Sequence, residues 1–307
     1  MLKKEIVLPK FSIVTPTYIN DFDNVKYLCE SIDAFCKLDY IHYLVVPACD
    51  VEKFKTLEGV NRTILSKESV LKRHGFHKLP FPSRINLFGL YKKSIKEKWY
   101  LPGCGMLSGW LVQQLIKISA LDYTSSEYLV FVDSDVILTR EFTENNIFMD
   151  GKLKFFEKKI DPGMKEHLAW WTNACQILDV DSDSPANYIG QFVFWKASDL
   201  RDMIERIESN SNMHWSRVLS KLKVVSEYIL YGCYIKKCRM SQGYSLDSKG
   251  LTASIWNSGL KCDLDSLKAL VQPEHVAFHL QSVMPLEQSQ RDAIYADAKR
   301  IFRDSNA

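Results

Sequence analysis

The sequence predicts an α/β protein built on a central, mostly parallel sheet. Apolar, β-branched runs at residues 11–18, 40–47 and 61–67 are typical of buried strands. An amphipathic helical pattern from Asp21 to Phe35 and a short helical pattern at residues 51–57 lie between them. Because strands that alternate with helices usually pair in parallel, we expect helices on the faces of this sheet.

The same patterns predict the elements of the remaining chain. Residues 72–105 indicate a long loop with one helical piece. No internal repeat or linker interrupts the sequence, so we expect one continuous domain. The further expected elements are a helix at 108–121, a strand at 127–138, a helical or irregular stretch at 150–171, a strand pair at 175–179 and 191–195, helices at 197–209 and 227–237, a strand at 274–282 and a charged surface helix at 286–303.

Composition excludes several classes of protein. The 307 residues include 40 basic and 37 acidic side chains, so the net charge of +3 gives no electrostatic reason to expect a nucleic acid partner. The eight cysteines form no CxxC pair, which favours free thiols in a reducing compartment. Since neither a signal peptide nor a run of about 20 apolar residues is present, we expect a cytoplasmic protein without a transmembrane segment, with peripheral membrane contact left open.

The strongest chemical signal is Asp133-Ser134-Asp135, which directly follows the apolar run EYLVFV. Ligands bind at the carboxyl ends of strands in open α/β sheets. Two carboxylates at that position can bind a hard divalent cation, and such a cation neutralises the charge of a departing diphosphate. The alternative is a strand end with solvated acids, or an aspartate that caps the next turn.

Six segments in order carry a family resemblance: FSIVTPTY, GWLVQQLIK, YLVFVDSDVIL, YIGQFVFW, VSEYILYGCY and VAFHLQS, spread over residues 11–282. Together they resemble GT-A glycosyltransferases, in particular a small bacterial and viral glycan-biosynthesis type with a DUF6492-like label. The resemblance implies a Rossmann-like GT-A domain, with a nucleotide-sugar-binding half at residues 1–140 and an acceptor-binding half at 141–307. It also implies a nucleotide-sugar donor, by default on UDP with GDP as the alternative, and a glycan or glycolipid acceptor.

The resemblance assigns the donor site to two segments. One follows the first strand, where Tyr18 has an aromatic ring that can stack on a base; a plain Thr-Pro-Thr turn is the alternative. The other is the polar face of the helix that precedes the Asp133 motif, where a solvated face is the alternative. The donor residues expected in these segments are Thr15, Pro16, Thr17, Tyr18, Asp21 (with Asp23 as its alternative), Gln113, Gln114 and Lys117, in addition to Asp133, Ser134 and Asp135.

The metal set implied by the resemblance is Asp133, Asp135 and His279. Alternation along EHVAFHLQS places His279 on the same side of its strand as His275, and the family pattern favours His279. Imidazole suits Mn²⁺ better than Mg²⁺, so Mn²⁺ is the preferred ion and Mg²⁺ the alternative. A hydrogen-bonded structural histidine is the other interpretation.

Glu227 is the candidate catalytic base. It follows Ser226, a typical N-cap, so its carboxylate is expected near the positive end of a helix. An inverting transferase needs a base for the acceptor hydroxyl. Ordinary capping chemistry is the alternative, Asp181 and Asp183 are rival bases, and a retaining mechanism remains open.

Aromatic side chains in the second half are candidates for an acceptor platform. Trp170, Trp171 and Trp195, with Gln191, are the residues expected to contact an acceptor sugar, and core packing is the alternative for each aromatic side chain. The expected role is the extension of a surface, capsular or viral glycan. Two other functions stay open: a phosphatase of the haloacid-dehalogenase type, with the first aspartate of its motif as nucleophile, and a non-catalytic glycan-binding protein.

Overall fold

The computed structural model describes residues 9–80, 84–87, 91–94, 97–161, 163–256 and 264–304. It shows a central sheet with helices packed on it. The strands are β1 (Phe11–Pro16), β2 (Tyr40–Val46), β3 (Arg62–Ser66), β4 (His77–Lys78), β5 (Arg84–Leu87), β6 (Tyr91–Ser94), β7 (Trp99–Leu101), β8 (Gly105–Leu107), β9 (Tyr128–Val132), β10 (Val136–Leu138), β11 (Phe148–Met149), β12 (Lys152–Phe156), β13 (Lys158–Lys159), β14 (Ala186–Asn187), β15 (Phe192–Lys196), β16 (Tyr244–Asp247), β17 (Thr252–Ile255) and β18 (Ala277–Leu280). The α-helices are α1 (Phe22–Phe35), α2 (Val51–Phe54), α3 (Lys67–Lys72), α4 (Gly109–Ile118), α5 (Glu144–Ile147), α6 (Lys165–Leu178), α7 (Ala197–Ser211), α8 (Trp215–Leu222), α9 (Glu227–Tyr234), α10 (Leu264–Leu270) and α11 (Gln288–Asp304).

The central sheet has the strand order β15-β9-β1-β2-β3. Four of its strands run in parallel, and β15 lies antiparallel to β9 at one edge. Phe11, Ile13 and Val14 of β1 are almost completely buried, as expected for a strand with helices on both faces. The predicted α/β class with a mostly parallel central sheet is confirmed.

The predicted strand at 127–138 is in fact two strands in two sheets. β9 belongs to the central sheet, whereas β10 pairs antiparallel with β18 in a second sheet of order β10-β18-β17. Asp133, Ser134 and Asp135 are the residues at which the chain passes from one sheet to the other. The register sets Val136 opposite His279, so the crossing brings the motif and the late histidine together.

The C-terminal helix covers the second sheet. α11 buries Ile294, Tyr295 and Phe302 in a smaller core with residues of β10, β17 and β18. The helix was predicted as a charged surface element; its charged side faces solvent, but its apolar side closes this core. No helix in the described ranges is long and apolar enough to cross a membrane.

Two predicted elements of the middle region are wrong, and a third, the helical or irregular stretch at 150–171, is helical only from Lys165. Residues 72–105 hold short antiparallel strands where described, and Gly103 and Gly105 have φ of 81° and 79° in the turn between β7 and β8; residues 81–83, 88–90 and 95–96 lie outside the description. The expected strand at 175–179 is the end of α6, because Trp171, Ala174, Cys175 and Leu178 form a buried stripe at helical spacing. The stretch at 150–171 includes β12 and β13 before α6 begins.

Candidate functional site

A cavity of about 920 Å³ opens beside the carboxyl ends of β1 and β9. That volume is in the range of small-molecule sites. The loop after β1 contributes Tyr18 and Asp21, the sheet crossing contributes Asp133–Asp135, and α4, α9, β17 and β18 complete the walls. The site therefore draws on both sheets.

Asp135 and His279 are in contact on the cavity floor. His279 Nε2 lies 3.5 Å from Asp135 Oδ2, and the same oxygen accepts a hydrogen bond from the Ser282 amide at 2.7 Å. Burial alone raises the pKa of Asp135, but His279 and the Ser282 amide outweigh burial and lower that pKa. His279 is 1% exposed, and its Nδ1 has no hydrogen-bond partner in the described part of the chain.

Asp133 and Asp21 carry carboxylates with raised pKa values. Burial, with the charge of Asp135 nearby, raises the pKa of Asp21 to about 6, although Ser134 Oγ donates to its carboxylate at 3.3 Å. Burial likewise raises the pKa of Asp133 to about 6, while Lys117 lowers it and Asp135 raises it. The Asp133 side chain is 41% exposed to the cavity, so its carboxylate is accessible to a ligand.

Lys117 is a buried cation at the centre of the site. Its Nζ lies 2.9 Å from Glu227 Oε1 and 3.9 Å from Asp133 Oδ1, and it donates to Tyr228 Oη at 2.7 Å. Burial lowers the pKa of Lys117, but Glu227, Tyr228 and Asp133 outweigh burial and raise it. The amine is therefore protonated at neutral pH and holds a positive charge beside the aspartate motif.

Glu227 begins α9 as predicted, with Ser226 as the N-cap that accepts from Ile229 N at 3.4 Å. The Glu227 side chain is 1% exposed, and its Oε1 accepts no well-directed hydrogen bond although Lys117 Nζ is 2.9 Å away, so the contact is an ion pair. Gln114 Oε1 accepts from the Glu227 amide at 2.9 Å and thereby joins α4 to the start of α9. Glu227 is thus fixed by two residues of α4.

The donor set of this floor fits a divalent cation chemically. The carboxylates of Asp133 and Asp135 and the imidazole of His279 are oxygen and nitrogen ligands of the kind that Mn²⁺ accepts. The Nδ1 atom of His279 has no hydrogen-bond partner among the described residues. Within the described residues, however, no group of three or more His, Cys, Asp or Glu side chains is already arranged around a metal position. Asp135 Oδ2 and His279 Nε2 lie 3.5 Å apart, a separation that two ligands of one cation can have.

The other predicted donor and acceptor residues divide into two groups. Pro16, Tyr18, Gln113, Ser134 and Gln191 line the cavity, and Ser254 Oγ donates to Gln191 Oε1 at 3.3 Å. Thr15 and Thr17 lie beneath it, 0% and 1% exposed, and Thr15 Oγ1 is hydrogen-bonded to His42. The Thr-Pro-Thr segment therefore shapes the strand end, and only its proline borders the cavity.

Of the three tryptophans expected to contact an acceptor, Trp171 and Trp195 do not line the cavity. Both side chains lie in the core, 1% and 0% exposed, and Trp195 stacks on Tyr231. The third, Trp170, lines the cavity. Periodicity alone does not decide which of two adjacent tryptophans faces inward when the helix start is misplaced, as it was for α6.

The rival bases lie elsewhere. Asp181 and Asp183 both pair with Lys237 on the surface and do not line the cavity. Sequence reasoning also missed Trp256, which is 53% exposed, lines the cavity and lies with its ring centroid 4.8 Å from that of His279. The signal for it in the sequence was only a tryptophan directly after the short segment TASI, which forms β17.

Comparisons with known proteins add a family and distant structural similarity. The family model described as "Family of unknown function (DUF6492)" matches residues 2–278. A search of curated proteins gave no match. An active-site mutant of LgtC aligns with a TM-score of 0.45 at 11% identity, over 93% of this chain and 95% of that chain.

Two further solved structures align over most of the chain. The apo form of mouse xyloside xylosyltransferase 1 aligns with a TM-score of 0.43 at 8% identity, over 90% of this chain and 99% of that chain. The apo-form glycosyltransferase GlyE of Streptococcus pneumoniae TIGR4 aligns with a TM-score of 0.43 at 10% identity, over 96% and 62%. At such TM-scores the alignments assign no activity. Evidence for the activity has to come from the site.

Proposed function

Because the chain belongs to the DUF6492 family, a family of unknown function, its activity has to be inferred from its site, and we propose that it is a metal-dependent GT-A glycosyltransferase. One observation carries the proposal: Asp133, Asp135, His279 and Lys117 converge on the floor of one cavity of about 920 Å³. A nucleotide diphosphate needs both a cation and a fixed positive charge, and this floor offers ligands for the first and supplies the second.

Asp133, Asp135 and His279 would hold the divalent cation, with Mn²⁺ preferred over Mg²⁺ because of the imidazole. When bound, the cation neutralises charge on the departing diphosphate. Ser282 keeps the Asp135 carboxylate oriented through its amide, at 2.7 Å. Lys117 adds a protonated amine that lies 3.9 Å from Asp133, on the side of the cavity formed by α4.

The donor is proposed to be a UDP-sugar, with GDP as the alternative nucleotide. Tyr18 is 39% exposed at the end of β1 and offers a ring on which a base can stack. Asp21 lines the same end of the cavity and fits the hydroxyls of a ribose. The acceptor is proposed to be a glycan or glycolipid of a surface, capsular or viral structure, built on the cytoplasmic side.

The geometry supports a holding role for Glu227 more than the base role expected from the sequence. A base must reach the acceptor hydroxyl, whereas this carboxylate is 1% exposed and ion-paired with Lys117 at 2.9 Å. A buried amine that lost this partner would be left with a poorly compensated charge. We therefore propose that Glu227 fixes the charge and position of Lys117. A base role for Glu227 in an inverting mechanism is the alternative, and it predicts that the charge of Glu227 is not needed for donor binding.

The experiment that tests the function compares two reactions of the purified protein. With Mn²⁺ and a panel of UDP-glucose, UDP-galactose, UDP-N-acetylglucosamine and GDP-mannose, we expect slow release of the nucleoside diphosphate from one donor, because water replaces the absent acceptor. EDTA should stop this release. Phosphate release from p-nitrophenyl phosphate, with no release from any donor, would contradict the proposal and favour the phosphatase alternative.

A further inference from the structure

One wall of the cavity is aromatic. Trp110, in the first turn of α4, stacks on Trp170 of α6 with ring centroids 5.3 Å apart and an angle of 18° between the planes. His167 also stacks on Trp170, with centroids 4.9 Å apart. Trp110 is 40% exposed although it borders a deep cavity. Trp170 and His167 thus fix the indole of Trp110, and part of its surface stays open to the cavity.

The position of this wall relative to the proposed diphosphate site is set by α4. Trp110 and Lys117 are seven residues apart, so they lie on the same face of the helix and about 10 Å apart along its axis. Lys117 marks the phosphate end, next to Asp133. A separation of this size leaves room for the donor sugar between them. Trp110 therefore lies where the sugar that receives the transferred residue would bind.

Two polar side chains also line the cavity. Lys158 and Asn187 are cross-strand partners in the β13–β14 pair, and both line the cavity. Their amine and amide groups are donors that sugar hydroxyls accept. A sugar ring needs both features, an aromatic plane for its C–H face and donors or acceptors for its hydroxyls.

We propose that Trp110, held by Trp170, is the platform on which the acceptor binds through the C–H face of a pyranose ring. The inference rests on the proposed function, because the distance argument takes Lys117 as the phosphate end. The acceptor bound there is a pyranoside. The competing role for the ring is stacking on the base of the nucleotide, and the two roles differ in which ligand the ring holds.

The test uses saturation-transfer NMR on protein saturated with UDP and Mg²⁺, because paramagnetic Mn²⁺ would broaden the signals of a probe bound nearby. The probes are methyl β-D-galactopyranoside, methyl β-D-glucopyranoside and methyl N-acetyl-β-D-glucosaminide. We expect the wild type to bind at least one probe, and Trp110→Ala to bind it roughly tenfold more weakly because the stacking surface is gone. Trp110→Phe, which keeps a ring, should retain most of the affinity.

Two controls make the outcomes distinct. Tyr100→Ala removes an aromatic ring that is 37% exposed and does not line the cavity, and it should bind the probe as the wild type does. UDP affinity, measured by calorimetry for each variant, should not change in Trp110→Ala. Equal probe binding by Trp110→Ala and the wild type would overturn the platform, and so would a wild type that binds UDP but none of the glycosides.

Loss of UDP binding in Trp110→Ala would overturn it too, in favour of stacking on the base. A wild type that binds no nucleotide in the presence of Mn²⁺ would instead refute the proposed function. Glycoside binding that depends on Trp110 would then still support the platform, as part of a glycan-binding protein.

Discussion

At the scale of residues, the site is organised by one buried amine. Lys117 joins Glu227, Tyr228 and Asp133 within 3.9 Å. The sequence indicated each of these except Tyr228 as a candidate, because polar residues at helical spacing and a Ser-Glu helix start are visible without a structure. Their mutual pairing was not predictable, since it depends on how α4 packs against α9.

The role of Glu227 is tested by Glu227→Gln. We expect a loss of about 3 kcal/mol in the free energy of unfolding, because Lys117 keeps its charge while its ion-pair partner is neutralised. Nucleotide affinity in Mn²⁺ should fall as well, since the amine is no longer held. Urea unfolding and calorimetry measure the two effects, and Glu205→Gln on the exposed side of α7 is the matched control.

A different result would restore the base role for Glu227. If Glu227→Gln folds as stably as the wild type, binds nucleotide equally well and yet transfers no sugar, its charge is needed only for the reaction. That outcome would contradict the holding role and support an inverting mechanism.

At the scale of elements, helix α9 shows why sequence patterns predicted positions better than packing. Its start at Glu227 and its N-cap Ser226 agree with the prediction. Gly232, in the middle of α9, lowers the helix propensity of this segment, and the sequence gives no reason for a glycine at this position. The structure gives the reason, because a Cβ atom at Gly232 would lie 2.0 Å from the ring of Tyr188.

Gly232→Ala is therefore expected to destabilise the fold despite the better helix propensity of alanine. The Tyr188 ring is buried and its hydroxyl donates to Glu157 at 2.7 Å, so it cannot move away freely. We expect the free energy of unfolding, measured by urea denaturation, to fall by about 1–3 kcal/mol. Gly109→Ala, in α4 with no atom within 4 Å of the added Cβ, is the control and should be neutral or slightly stabilising. Equal stability of both variants would refute the close packing of α9 on Tyr188.

The elements that the sequence mispredicted share a physical cause. Short apolar runs such as residues 175–179 fit a strand or a buried helix equally well, and only the length of α6 distinguishes them. The run at 127–138 was predicted as one strand because its apolar pattern continues on both sides of the motif. The break between β9 and β10 depends on pairing with β18, which lies more than 130 residues away in sequence.

At the scale of the whole molecule, the candidate site lies where two sheets meet. The central sheet supplies the end of β1 and β9, while the second sheet supplies His279 opposite Val136. The first half of the chain, residues 1–140, contributes the motif and α4, and residues 141–307 contribute α9, β18 and Trp170. Both halves of the chain therefore line one cavity, in which His279 and Glu227 of the second half lie beside Asp135 and Lys117 of the first.

The central claim, a metal-dependent nucleotide site at this junction, is tested most directly by calorimetric titration of UDP and GDP with Mn²⁺ and with EDTA. The account predicts that one nucleotide binds in Mn²⁺, and that binding is lost in EDTA and in Asp135→Asn, whose side-chain oxygen can still accept from the Ser282 amide. Asp181→Asn, on the surface away from the cavity, should bind as the wild type does. Binding that is unchanged by EDTA and by Asp135→Asn, or no binding of either nucleotide, would contradict the account.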